Sequence, residues 1–295
     1  MNSKAGFVAV IGKPNSGKST LVNTLVDYNI SVVNKKAQTT RNKIKAILTG
    51  KDFQIVFLDT PGILKPEYEL HNFMFNEIVS SLDEADLIIF LIDAVKPDLD
   101  SFDAFNTQFK SSLSGKEIII VLNKIDLVNK NKLLPLIKLI SSKEIDSEIV
   151  PVSALKKENT DSLKKLIVDK LPASGFFYEK ESLTDKSEKF LASEIIREQI
   201  LSLYHDEIPY SCLVNVTEFK ERTENLIFIN ADIILERESQ KAILIGKKGQ
   251  GLKRLGELAR KKLESFFDKK VFLNLFIKIK KDWRKEKNYI KKNLF

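Results

Sequence analysis

The sequence predicts two modules of different class: an α/β domain with a mostly parallel sheet and one antiparallel edge pair, followed by an α+β module. Three observations carry this. From residue 6 to about 171, short apolar runs alternate with amphipathic stretches. The alternation stops in LPASGFFYEKESLTDKSEK, where Pro172, Gly175 and a run of charges break the pattern. Beyond it the order becomes helix, two strands, two helices and a strand.

Each element has its own reason. GFVAVI, IKAILT, FQIVFLD, LIIFLID, EIIIVLN and EIVPVS read as strands, and several are apolar throughout, as central parallel strands covered on both faces require. FMFNEIVSSL and NKLLPLIKLI place apolar residues three and four apart, the spacing of a helix with one buried face. The runs 44–49 and 53–58 are separated only by GKD, a hairpin signal and the source of the antiparallel pair. In the second module EKFLASEIIREQILSLY is a helix, and SCLVNVTEF and NLIFINADIILE are strands. SQKAIL is a short helix, IGKKGQG a turn, LKRLGELARKKLESFF a longer helix and VFLNLFIKIK the last strand. The expected partition is 1–174, a linker at 175–185, and 186–295.

A chain of 295 residues accommodates two domains of ordinary size, and 43% hydrophobic with 30% charged residues describes a globular protein with a real core. No apolar run reaches the ~20 residues of a membrane-spanning helix. The start, MNSKAGFVAV, runs directly into a motif and does not read as a secretion signal. Cys212 stands alone, which excludes an internal disulfide, and with only His71 and His205 beside it a zinc site is not expected. A cytoplasmic protein is the expectation. The net charge of +8 is uneven: residues 241–295 hold 18 Lys/Arg against 5 Asp/Glu, a net of +13 that leaves −5 on the rest. A basic end on a mildly acidic body suits a polyanionic partner, nucleic acid or an anionic membrane face.

GKPNSGKS (Gly12, Lys13, Pro14, Asn15, Ser16, Gly17, Lys18, Ser19), followed by Thr20, matches G-x-x-x-x-G-K-S between a strand and a helical run. The glycines permit torsions that turn backbone N–H groups inward at a helix N-terminus, a cradle for phosphates. Lys18 would reach the β- and γ-phosphates and Ser19 would ligate Mg²⁺. DTPG (Asp59, Thr60, Pro61, Gly62) closes a strand; Asp59 is placed to hold Mg²⁺ through water and the Gly62 N–H to meet the γ-phosphate. In KAQTTRNK, Thr40 is the expected Mg²⁺ ligand and Thr39 the alternate. Lys18, Thr40, Asp59 and Gly62 form the expected catalytic set.

NKID (Asn123, Lys124, Ile125, Asp126) follows an apolar run, at the strand end where open α/β sheets bind ligands. The Asp126 carboxylate can accept from guanine's ring N–H and amine together, whereas adenine would leave it unpaired. Asn123 would brace the loop and the base's far edge, and the Lys124 stem would lie over the base plane. Ser153 and Ala154 of SAL again follow a strand, and the Ala154 N–H could meet the guanine carbonyl. In the second module IGKKG places Gly246, Lys247, Lys248 and Gly249 between two helices, with Lys253 just beyond. Two glycines allow close approach of a sugar-phosphate chain, the lysines supply charge, and Ile243, Ile245 and Leu252 are candidates for an apolar base-binding groove.

The set GKPNSGKS, QTTR, DTPG, NKID and SAL, in this order, resembles the translation-factor-related GTPases. IGKKG resembles the GxxG loop of a KH domain, and the element order resembles the type II form. Together, with FLASEIIREQI and ERESQKAILIGKKG, nearly the whole chain resembles the Era family of ribosome-assembly GTPases. The resemblance implies an α/β P-loop GTPase domain followed by an α+β type II KH domain, GTP/GDP and Mg²⁺ as ligands, and hydrolysis of GTP. It implies RNA partners at the 3′ end of small-subunit ribosomal RNA, the small ribosomal subunit itself, and peripheral contact with the inner membrane; a monomer is expected. Asn15 matches a position that holds potassium in some relatives, which puts K⁺ among the cations to test. One departure from the Ras-like pattern stands out: Ile63 follows DTPG where a water-orienting glutamine would be, so intrinsic hydrolysis should be slow. The rival reading is a non-catalytic GTP-dependent tether to RNA or membrane. An ATP-dependent kinase or helicase fits neither NKID nor the absence of helicase-like segments.

Overall fold

The computed structural model describes residues 3–34, 36, 38–142 and 147–294. They form two compact units, one holding the described residues up to Glu67 and His71–Asp185, the other Tyr68–Leu70 and the described residues from Lys186 onward.

In the first unit six strands, β1 (Lys4–Gly12), β2 (Ile44–Thr49), β3 (Phe53–Asp59), β4 (Leu87–Asp93), β5 (Glu117–Asn123) and β6 (Glu148–Pro151), lie in the order β2-β3-β1-β4-β5-β6. Every neighbouring pair is parallel except β2 and β3, which pair antiparallel from Ile44↔Asp59 to Thr49↔Gln54. The helices are α1 (Lys18–Val26), α2 (Glu69–Glu84), α3 (Asp100–Gln108), α4 (Lys110–Leu113), α5 (Lys130–Ser141) and α6 (Thr160–Lys170). The strands are apolar throughout because both faces are covered: Val8 to Ile11, Ile55 to Leu58 and Leu87 to Ile92 are all buried. Phe90 packs with Phe102 and Phe105 at ring separations of 4.8 and 4.9 Å, which seats α3 on the sheet.

Register then sets the site. Asp59 pairs with Val10, Gly12 with Leu91, and Asp93 with Asn123, so the ends of β1, β3, β4 and β5 share the carboxyl edge of the sheet. At the opposite side of the sheet, residues 175–185 are held rather than loose. Gln54 Oε1 accepts from the Phe177 and Tyr178 N–H groups at 2.8 and 3.0 Å, and Ile47 N donates to Leu183 O at 2.9 Å.

The second unit contains α7 (Glu188–Leu203), α8 (Ile208–Ser211), β7 (Leu213–Thr223), β8 (Leu226–Leu235), α9 (Glu238–Ile245), α10 (Gln250–Phe267), β9 (Lys270–Ile279) and α11 (Lys287–Asn293). Its sheet runs β7-β8-β9, antiparallel between the first two and parallel between the last two. Parallel β8 and β9 need a crossover, and α9 with α10 supplies it. Ile227, Ile229, Ala231 and Ile233 of β8 face a core built with Ile196 and Ile200 of α7 and Leu255, Ala259 and Leu263 of α10. Two details go beyond the sequence reading. Trp283 is fully buried with its indole N–H donating to Ser211 O at 2.8 Å, so it packs and does not face solvent. The last lysines lie on α11, anchored by buried Ile290.

Candidate nucleotide site and RNA groove

β1 ends in a loop that turns back on itself. Gly12, Asn15 and Gly17 have φ values of 154°, 64° and 99°, the mixed-handed backbone of an anion nest, and α1 starts directly behind it. Space forbids side chains here as well: a Cβ on Gly12 would meet Leu91 O at 2.5 Å, and one on Gly17 would meet Asn123 Nδ2 at 2.3 Å. Lys18 is buried and folds across the loop, donating to Gly12 O and Lys13 O at 3.0 Å each. Burial pushes its pKa down to about 8, against the pull of Asp59. The DTPG loop closes over this turn: Ile63 N donates to Gly12 O at 3.1 Å, and a Cβ on Gly62 would strike Pro14 N at 2.7 Å. Thr60 is a fastener, its hydroxyl donating to Val10 O at 2.7 Å, and Pro61 is buried beside it.

Three side-chain oxygens converge next to the loop. The Ser19 hydroxyl donates to Asp59 Oδ2 at 2.7 Å and lies 3.0 Å from Thr40 Oγ1, which is itself 3.5 Å from Asp59 Oδ2. Thr39 lies elsewhere, donating to Lys36 O at 2.7 Å. Asp59 is fully buried and its Oδ1 has no partner among the described residues; burial raises its pKa, opposed by hydroxyl hydrogen bonds and by Lys18. An orphaned buried carboxylate oxygen beside two hydroxyls fits a small, hard, oxygen-seeking cation such as Mg²⁺. Among the described residues no cluster of three or more His, Cys, Asp or Glu offers a different metal site.

At the base end, buried Asn123 ties two loops together: its Nδ2 donates to Ser16 O at 2.9 Å and its Oδ1 accepts from Ala154 N at 3.0 Å. The Ala154 N–H, expected to face the guanine carbonyl, is instead donated to this brace. Asp126, in a 3₁₀ turn with Ile125, accepts from the Ser153 hydroxyl at 2.6 Å, which orients the carboxylate. Lys124, at φ 67°, donates to Asn15 O at 2.6 Å and pairs with Asp93 at 2.6 Å. Asp93 was missed in the sequence. Its place at the end of LIIFLID, a strand ending on the same carboxyl edge, is the signal that points to it. Thr24 and Asn23 were missed too: Thr24 Oγ1 donates to Ala154 O at 2.9 Å, and Asn23 Oδ1 accepts from Ile30 N and Ser31 N at 3.1 and 2.9 Å. Beside these residues a cavity of about 370 Å³ opens between α1 and the SAL loop, lined by Thr20, Ala154 and Leu155.

In the second unit the turn between α9 and α10 is built on left-handed residues: Gly246, Lys248 and Gly249 have φ values of 69°, 52° and 78°. A Cβ on Gly251 would meet Leu244 O at 2.6 Å, so the two helices approach closely behind the turn. Lys247 and Lys248 are exposed. A groove of about 500 Å³ lies between α10 and β9, lined by Gly249, Leu252, Lys253 and Arg260 on one side and residues 271–275 on the other. Of the apolar residues expected there, Leu252 lines it, whereas Ile243 stays 55% exposed on α9 and Ile245 is also outside it. The groove's other wall is Val271, Leu273 and Leu275, on a strand some twenty residues downstream of the turn, which local sequence does not tie to it.

Fold and site together define a P-loop GTPase domain joined to a type II KH domain. Residues 7–124 match the family described as a 50S ribosome-binding GTPase, and residues 207–284 match the KH domain. The chain is 42% identical over 292 residues to the GTPase Era of Ruminiclostridium cellulolyticum, covering 99% of this chain and 97% of that one. Two solved structures, each at 40% identity with 98% of both chains covered, superpose on it: a variant of Aquifex aeolicus Era bound to GDP·AlF4⁻, with a TM-score of 0.92, and Era in complex with MgGDPNP and nucleotides 1506–1542 of 16S ribosomal RNA, with a TM-score of 0.91. The chain belongs to the Era family of GTPases.

Proposed function

We infer that this protein is a GTP-hydrolysing switch that binds small-subunit ribosomal RNA near its 3′ end and acts in assembly of the small ribosomal subunit. The observation that carries the enzymatic half is the convergence of Ser19, Thr40 and the half-satisfied Asp59 beside the glycine loop. Lys18 would leave the two loop carbonyls for the β- and γ-phosphates, and the Gly62 N–H would meet the γ-phosphate. Ser19, Thr40 and Asp59 would hold Mg²⁺, which when bound neutralises charge on the β- and γ-oxygens. The γ-phosphate and the cation would add ligand-dependent anchors at Thr40 and Gly62, so loss of the γ-phosphate would loosen both segments. Asp126, steadied by Ser153, would accept guanine's two donors, with Asn123 and Lys124 bracing base and loop. Ile63 offers no hydrogen bond to an attacking water, so fast turnover needs another group or a partner.

The RNA half rests on the groove between α10 and β9 with the Lys247–Lys248 turn at its mouth. The partition 1–174, 175–185 and 186–295, action as a monomer in the cytoplasm and peripheral contact with an anionic membrane belong to the same proposal. No helix among the described residues is long and apolar enough to cross a membrane, and the basic end supports surface contact only. K⁺ at Asn15 is a further point to test, by comparing turnover in K⁺ and Na⁺.

Single-turnover GTP hydrolysis with and without a 16S 3′-end oligonucleotide separates a switch from a tether: a switch turns GTP over, and a tether holds it intact in both arms. The RNA half is tested by replacing Lys247 and Lys248 together with Asp. RNA affinity should fall at least tenfold and the salt slope by about 2, with GTP affinity unchanged. Wild-type RNA affinity and slope in that variant would remove the turn from the interface.

A further inference from the structure

The face of the second unit's sheet that points away from its helices is not a plain polar surface. On β8 Ile227, Ile229, Ala231 and Ile233 are buried on the helix side, which leaves Phe228 and Asn230 outward, while farther along the strand Asp232 and Ile234 are buried as well. Register sets Phe272 beside Phe228 and Asn274 beside Asn230, and Phe276 follows two positions on. The Phe228 and Phe272 rings are stacked, 5.5 Å apart and 10° from parallel, and the Arg222 guanidinium lies 4.2 Å from the Phe228 centroid. The amides form a relay: Asn274 Nδ2 donates to Asn230 Oδ1 at 2.9 Å, and Asn230 Nδ2 to Glu218 Oε2 at 2.8 Å. Phe272 and Phe276 remain 54% and 51% exposed. Apolar rings of this size cost free energy in water, and the sheet gains no core contact from holding them there.

We propose that this outward face is a second binding surface for single-stranded RNA, continuous with the groove, in which unstacked bases lie on Phe272 and Phe276 with the Asn274 amide between them. This rests on the reading of the groove as an RNA site. Continuity is what selects the occupant: Phe272 and Asn274 themselves line the groove, so a chain leaving it over the free edge of β9 meets this face next. Spacing agrees. Phe272 and Phe276 are four residues apart, about 13 Å along the strand and roughly four times the 3.4 Å rise of stacked nucleic acid, which suits bases splayed onto separate platforms with Asn274 between them. Aromatic platforms with amides between them bind bases by stacking and edge contacts, which draw on the base faces and not on cations of this face. Here Lys278 is already paired with Asp232 at 2.6 Å and Lys220 with Glu218 at 2.6 Å.

The test uses the full-length protein, GTP-loaded, and fluorescent RNA oligonucleotides of 16S 3′-end sequence about four, eight and twelve nucleotides long, the shortest filling only the groove. Wild-type affinity should rise from the shortest to the longest. Phe272→Ala and Phe276→Ala should each lose roughly five- to a hundredfold on the longest oligonucleotide, and Phe276→Tyr should restore it. The shortest oligonucleotide should bind Phe276→Ala, whose side chain lies outside the groove lining, as tightly as wild type, which also reports that the groove is folded. If the longest oligonucleotide binds both alanine variants as tightly as wild type, the face does not bind RNA and the proposal is overturned, with the groove reading intact. If no oligonucleotide binds wild type at all, the groove reading itself fails.

Discussion

The nucleotide site and the RNA groove are assembled in opposite ways. In the first, each motif is a contiguous run at a strand end, and the runs fasten to one another: Asn123 to Ser16, Lys124 to Asn15, Ser153 to Asp126, Thr60 to Val10. In the second, only the turn is contiguous, and the groove's walls come from a helix and a strand that local spacing does not connect. A ligand with fixed chemistry at every position favours prefastened side chains. A polymer bound through its backbone and base faces needs mainly a close-approach turn, charge and an apolar wall.

The sharpest break of that comparison is the base. Asp126→Asn should lower GTP affinity by about two to four orders of magnitude and shift preference toward xanthosine triphosphate, which presents a carbonyl where guanine has an amine. Nucleotide competition reads this directly; undiminished preference for GTP would place the base elsewhere. Next in size, Lys18→Ala removes a buried ammonium held by two carbonyls and should lower single-turnover hydrolysis by about 10²–10³. The same variant should keep wild-type RNA affinity in the nucleotide-free state.

A smaller effect follows from the depressed Lys18 pKa of about 8. Contact with phosphates requires the charged form, so GTP affinity should weaken by up to about tenfold per pH unit above pH 8, with proton uptake on binding. Stability of the ligand-free protein should move the other way. The unfolded state holds this proton up to 10.5, so unfolding free energy rises between about pH 8 and 10.5 from this group. Calorimetric titration in buffers of different ionisation enthalpy checks the first, and loss of the effect in Lys18→Ala assigns it. The smallest change belongs to Ile63, which packs on the first unit's core without a polar group to offer. Ile63→Ala should alter intrinsic turnover by less than about threefold, measured as phosphate release; a collapse with nucleotide affinity intact would show that Ile63 positions the reaction after all.

Much of this was present in the residues themselves. Strand runs without polar positions announced a sheet covered on both faces, and GKD between two of them announced the antiparallel pair. Glycines at 12 and 17, Lys18, Asp59 and Asp126 carry chemistry that follows from side-chain type and local spacing alone. These are short-range properties, and a chain written in order displays them. The three-dimensional fold decided what depends on neighbours distant in sequence. Register along the carboxyl edge brought Asp93 to Lys124 and made it part of the base loop. The fold at residues 38–40 set Thr40 beside Ser19 and Asp59 and gave Thr39 to Lys36. Parallel pairing of β8 with β9 put Val271, Leu273 and Leu275 opposite Leu252 as a groove wall, while burial of Trp283 against Ser211 took the single tryptophan out of reach of any ligand. Spacing fixes what a residue can do within a turn of chain, but packing chooses its partners, because burial and pairing are decided by the whole core at once.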